Sequence, residues 1–195
     1  IMPLGANKAA IMGVAGVSTA DVVLLYDTDH SNATTVSITS GIDSTYGEYI
    51  FKFYKINPAT DAAVFEFQVN AAGESGYNET MTTTFWYAYH AEDNSAADIG
   101  YVTSRDQAEG TAFQALATSL NNDADGCAAG ELHIFNPSST TFVKHFYSRM
   151  AMMHAENIAD MHAAGYINVT AAIDEIQFKM SSGNFDGTIK MWGVK

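Results

Sequence analysis

One cysteine, three prolines and nine basic residues are all that 195 positions hold of those types, and each shortage closes a class of explanation. With Cys127 alone, no disulfide can form within the chain and no cysteine-rich metal site can be built, which fits a protein made in a reducing cytosol. Three prolines supply no rigid linker, so nothing divides the chain into separate units. Nine Lys and Arg against 22 Asp and Glu give a formal net charge of −13. A surface of that sign repels nucleic acid, and only Arg105 and Arg149 offer a fork for phosphate, so no nucleic-acid partner is expected. No run of about eighteen uninterrupted apolar residues occurs, so no membrane-spanning helix is expected either.

What is present points to strands. Hydrophobic residues make up 47% and aromatic ones 12%, enough for a core, and flat rings pack well on a pleated surface. Alternation is the main signal. Ile176, Phe178 and Met180 share one parity, with Glu175, Gln177 and Lys179 on the other. Ile189 and Met191 then oppose Thr188, Lys190 and Trp192. With Ser181-Ser182-Gly183-Asn184 between them, residues 174–195 read as a β-hairpin that closes a sandwich. Tyr49, Phe51 and Phe53 face one way and Ile50, Tyr54 and Ile56 the other, as in a central strand or one that meets another subunit. Phe65, Phe67 and Val69 oppose Glu66, Gln68 and Asn70, a pattern expected of a half-exposed strand.

Residues 21–26 read as a short apolar strand followed by a polar turn at 27–32. Residues 107–120, with Ala108, Phe113, Ala117 and Leu120, are the one helix candidate. In all, nine to eleven strands with turn signals between them predict an all-β fold, an antiparallel β-sandwich spanning residues 21–195 as a single domain. Residues 1–20, rich in Gly and Ala, are expected to form an N-terminal assembly arm that lies against a partner.

Chemistry-bearing patterns are sparse. Six histidines (His30, His90, His133, His145, His154 and His162) show no His-x-His pair and no His-Glu-x-x-His, so no metal is assigned. Asn121-Asn122-Asp123-Ala124-Asp125-Gly126 resembles the start of a calcium loop, but Leu132 stands where the bidentate acid belongs, and a solvated Asx-rich turn is the better reading. No nucleophile elbow and no phosphate-cradling loop occurs. No catalytic residue and no cofactor is therefore assigned, and the chain is read as a non-enzyme. The cluster Phe85-Trp86-Tyr87-Ala88-Tyr89 carries the one candidate binding site: Trp86, Tyr87 and Tyr89 could stack on the apolar faces of a glycan, against the plainer reading as sandwich core.

Three stretches carry a resemblance. Gly41-Ile42-Asp43-Ser44-Thr45-Tyr46 leading into the aromatic strand, the turn Asn57-Pro58-Ala59-Thr60-Asp61, and the stretch from Ser181 through Asn184-Phe185-Asp186-Gly187-Thr188 to Trp192-Gly193 resemble virion proteins of tailed bacteriophages, especially those of marine and cyanobacterial hosts. The resemblance implies a jelly-roll-like fold and a place on the surface of a virion assembled in the host cytoplasm. It brings no catalytic motif with it. The expected function is a capsid decoration protein, a homo-oligomer with a trimer favoured, partnered by other virion proteins such as the major capsid protein. The alternative is a tail-fibre or receptor-binding sandwich that binds host-surface glycans.

Overall fold

The computed structural model describes residues 21–154 and 156–195; the expected arm over residues 1–20 lies outside them. The described chain is nearly all strand: β1 (Val22–Ala33), β2 (Thr35–Ile38), β3 (Glu48–Pro58), β4 (Ala63–Ala71), β5 (Met81–Ala91), β6 (Ala97–Tyr101), β7 (Gln114–Leu120), β8 (Ala128–Phe135), β9 (Lys144–His154), β10 (Asn157–Ile167), β11 (Ile173–Met180) and β12 (Phe185–Val194), with one 3-10 turn at Thr103–Arg105. They form two antiparallel sheets. One has eight strands in the order β1-β12-β3-β8-β9-β10-β5-β6, the other four in the order β2-β11-β4-β7. The all-β sandwich read from the sequence is what the chain forms.

Two hairpins, β5–β6 and β9–β10, extend the larger sheet. Without them the orders are β1-β12-β3-β8 and β2-β11-β4-β7, and the chain changes sheet at almost every connection between the remaining strands. That plan places β11 and β12 in opposite sheets, which corrects the expected terminal hairpin. Each strand keeps its predicted apolar face, with Phe178, Ile189 and Met191 buried and Trp192 half-exposed on the opposite parity, although Thr188, expected on the wet side, is buried too. The partners differ, however: β11 pairs with β2 and β4, and β12 with β1 and β3. The turn at 181–184 crosses the sandwich instead of closing a ladder.

The core lies between the sheets, and its centre is aromatic. The Phe178 ring of the smaller sheet sits 5.6 Å from Phe51, 5.2 Å from Phe53 and 6.0 Å from Phe65, centroid to centroid. Tyr49 is fully buried, yet its hydroxyl is spent: it donates to the Asp43 carbonyl at 3.0 Å and accepts the Asp43 N–H at 2.8 Å, tying the turn before β3 to that strand. In β3 the predicted parity fails after Phe53. The register shifts between Phe53 and Ile56, with Lys55 at φ 53°, so Ile56 turns inward and is fully buried. Gly187 faces this bulge on β12; a Cβ there would meet Ile56 Cδ1 at 2.6 Å. The bulge therefore needs glycine opposite it.

Three further expectations are corrected. The polar stretch 27–32 is no turn but the second half of β1, an edge strand whose side chains bond to β12: Lys190 Nζ to Asp27 at 2.9 Å, and Thr188 Oγ1 to Asp29. β4 is buried on both faces. Gln68 is fully buried because its amide donates to the carbonyls of Glu79, Thr111 and Ala112 at 2.9 to 3.2 Å, which removes the penalty for an unpaired polar group. The helix candidate is a loop followed by β7. Gln114 accepts from Thr83 Oγ1 at 2.7 Å and donates to the Arg105 carbonyl at 3.2 Å, while Gly110 bridges to Met81. Those bonds hold 107–113 as a bent loop against β5, with Glu109 at φ 54°, and leave helix propensity no say.

Candidate functional site

The outer face of the eight-stranded sheet collects the side chains that the core does not use. Register places Asp27, Lys190, Lys52, Glu131, Arg149, His162, Trp86 and Tyr101 in one row across all eight strands. Charges pair along it: Lys52 with Glu131 at 3.2 Å, and Arg149 with Asp160 through two parallel hydrogen bonds of 2.9 and 2.8 Å. The guanidinium holds the Asp160 carboxyl below its ordinary value, with His162 helping and burial opposing. Exposed pairs of this kind add little stability, but they cancel charge on this face of an acidic chain. Between and beside them lie exposed apolar side chains, among them Leu24, Tyr54, Trp86, Ile99, Tyr101 and Ile158. A second stack stands in the neighbouring row, where His133 lies 4.5 Å from Tyr147 with the planes 16° apart and its Nδ1–H donates to the Glu48 carboxylate at 2.5 Å.

The three residues expected to stack on a glycan do not share a surface. Trp86 is on the outer face, 39% exposed, its ring parallel to His162 at 4.0 Å between centroids. Tyr87 and Tyr89 point to the inner side, as alternation along β5 requires. There they lie at the edge of the core, with only the rim of β7 facing them. The smaller sheet ends at β7, which packs on β9 and β10, so β5 and β6 reach beyond it. The result is a cleft of about 380 Å³ between the β5–β10 overhang and β7.

Its floor is the Tyr87–Tyr89 pair, centroids 6.0 Å apart and tilted by 36°. Gly100 pairs with Tyr87 and gives the ring room to lie over β6, since a Cβ there would meet the phenol at 2.8 Å. The opposite wall is Thr118 and Ser119. Register against β4 slips at this point, and Ser119 takes φ 60°, so a bulge aims these two side chains at the cleft. Thr118 is held by its N–H to Met161 Sδ at 3.2 Å. His154 and Asn157, beside the β9–β10 turn, close one end. Ring type marks Tyr87 and Tyr89 in the sequence but groups them with Trp86 across the parity of β5; that the facing sheet stops short of them is not legible there, His154 enters only as a candidate metal ligand, and Ser119 carries no signal at all.

The other motifs have structural work. The 121–126 loop is clamped by the Asn57 amide, which donates to the carbonyls of Asp123 at 3.0 Å and Gly126 at 2.5 Å. Lys144 is fully buried and donates its ammonium to the Val169 and Ala171 carbonyls at 2.9 and 2.5 Å, fastening the β10–β11 connection to β9. Among the described residues no group of three His, Cys, Asp or Glu is placed to hold a metal ion, and no helix is long and apolar enough to cross a membrane. No known protein family and no curated protein matches the chain in sequence.

Proposed function

We propose that this chain is a virion structural protein, a capsid decoration protein that docks on its particle through the outer face of the eight-stranded sheet. The observation that carries the reading is the recurrence of exposed apolar and aromatic side chains on that face, from Leu24 on β1 to Ile99 and Tyr101 on β6, the last two 74% and 59% exposed. Isolated apolar side chains on a surface need no explanation, but their recurrence on one face, with Leu24, Tyr54, Tyr147, Ile158, Trp86, Ile99 and Tyr101 all exposed there, favours a surface that gets covered. Two further points support it. The strand orders β1-β12-β3-β8 and β2-β11-β4-β7 support reading the sandwich as jelly-roll-like, a plan used by viral capsid proteins and lectins alike. Ion pairs on this face keep its net charge low, which eases the approach of an acidic protein to another surface. A homo-oligomer, most simply a trimer, is part of the same proposal.

The test is particle incorporation. Ile99→Lys with Tyr101→Lys alters only exposed side chains, so the domain stays folded while particles assembled with the variant lose its density in electron cryomicroscopy. Full occupancy with the variant refutes the docking face, and density on the tail in the wild type refutes the capsid assignment. The second reading, a receptor-binding tail module, is favoured by the open Trp86 ring. Host polysaccharide binding that Trp86→Ala abolishes without unfolding the domain establishes it.

A further inference from the structure

We infer that the cleft under β5 is a binding site for a neutral, hydroxyl-rich ring of pyranose size, seated on Tyr87 and Tyr89 and held by His154. The inference is independent of the docking face: the cleft opens on the inner side of the sheet, and its occupancy and particle incorporation are measured separately.

Four observations carry it. The first is shape: about 380 Å³ falls at the lower end of the range of small-molecule sites, about 300–1,000 Å³. The second is the floor. Two phenol rings, 6.0 Å apart and tilted by 36°, line the cleft, and the axial C–H groups of a sugar pack on aromatic faces while its hydroxyls point outward. Ala159 lies opposite Tyr89 in the ladder, and its methyl group leaves the space above that ring open.

The third is an unspent hydrogen-bonding group. His154 Nδ1 is buried and has no partner among the described residues. Buried polar atoms without partners are rare in folded proteins and call for a reason. The imidazole lines the end of the cleft, and a rotation of the ring would bring this nitrogen to the cleft surface, where a ligand hydroxyl could bond it. Ser119 and Asn157 add a hydroxyl and an amide on the same rim. Ser119 holds the left-handed backbone conformation that a non-glycine residue adopts at a cost, and such positions cluster at binding sites.

The fourth is charge. No carboxylate, lysine or arginine lines the cleft, although the protein carries 22 acidic residues. A phosphate or carboxylate ligand would find no counter-ion and a cationic one no anion, so the fitting ligand is uncharged. Trp86, on the other side of the sheet, takes no part.

The experiment is a heteronuclear NMR titration of the isotopically labelled full chain with methyl α-glucopyranoside, methyl β-galactopyranoside and N-acetylglucosamine. The expected result is saturable shifts at Tyr87, Tyr89, Ser119 and His154 with at least one of the three, and none at Trp86 or Tyr147. Tyr89→Ala should weaken that binding about tenfold, the worth of one lost ring stack, whereas Tyr89→Phe keeps the ring and most of the affinity. Trp86→Ala should leave it unchanged. Absence of saturable shifts with all three sugars overturns the inference, as does a shift map centred on Trp86. If Tyr89→Ala does not fold, the wild-type map and the Ser119→Gly variant, which suits the local backbone, decide the matter: unchanged affinity in Ser119→Gly together with shifts outside the cleft refutes the site.

Discussion

Replacing Phe178 with alanine probes the joint between the two sheets more directly than any other single change. Its ring is fully buried and touches Phe51 and Phe53 from the larger sheet and Phe65 from its own. Phe→Ala in a core costs about 3–5 kcal/mol, made up of lost transfer energy and the cavity left behind. The upper half of that range applies here. The neighbouring rings stand on hydrogen-bonded strands of two different sheets, so neither side can move in to fill the space. A chain of this size loses about 2–4 °C of melting temperature per kcal/mol, so a cost of about 4 kcal/mol lowers the midpoint by about 8–16 °C in a thermal melt followed by near-ultraviolet circular dichroism. Tyr54→Ala is the control: that ring is 40% exposed on the outer face, and its loss should cost less than about 1 kcal/mol. A Phe178→Ala cost under about 1.5 kcal/mol, or one no larger than the control's, refutes the claim that this aromatic cluster joins the sheets.

Three other outcomes can be checked. Gly187→Ala drives a Cβ into Ile56 Cδ1 at 2.6 Å and toward the Lys55 carbonyl at 3.1 Å, so urea unfolding should show a loss of roughly 1–3 kcal/mol, and no loss would mean that the β3 bulge is free to rearrange. Lys144→Met keeps the stem but strips the Val169 and Ala171 carbonyls of their donor; a loss of about 1–3 kcal/mol is expected, with faster hydrogen exchange around 168–172, and unchanged exchange there would exclude the clamp. Asp160 has its folded value lowered, chiefly by Arg149, so its contribution is present above the ordinary 3.8 and is lost as pH falls through the lower folded value. In Arg149→Ala the decline of stability below about pH 4 should therefore be shallower than in the wild type, and parallel acid titrations would refute the pairing.

Strands were legible in the sequence where one face is dry and the other wet. β11 and β12 keep the alternation that Ile176, Phe178, Ile189 and Met191 announce. Partners were not legible, because a turn cluster such as 181–184 serves a hairpin and a crossing between sheets equally well. Polar edge strands were hidden for a different reason. Asp27 and Asp29 look like turn residues until Lys190 and Thr188 stand beside them. Gln68 and Gln114 look like surface residues until the carbonyls that satisfy them are in place. The candidate cleft was half visible: Tyr87 and Tyr89 could be named from their type, but a cleft is made by what is missing above it, and strand number in the facing sheet is written nowhere near those residues.

The sheet-crossing at 181–184 has a consequence for how the chain reaches this fold. β12 lies between β1 and β3, and β11 between β2 and β4, so the edge strands β1 and β2 are cut off from their sheets until the two latest strands arrive. β1 pairs only with β12, Val22 opposite Val194, a closure spanning almost the whole described chain. Such distant pairings are entropically expensive to form first, so β1 and β2 must wait, unpaired, through most of synthesis. The β5–β6 and β9–β10 hairpins, whose strands are neighbours in sequence, can form without delay. The late-closing half of the sandwich is then where a chaperone, or a neighbouring copy offering a strand of its own, has the longest interval in which to act.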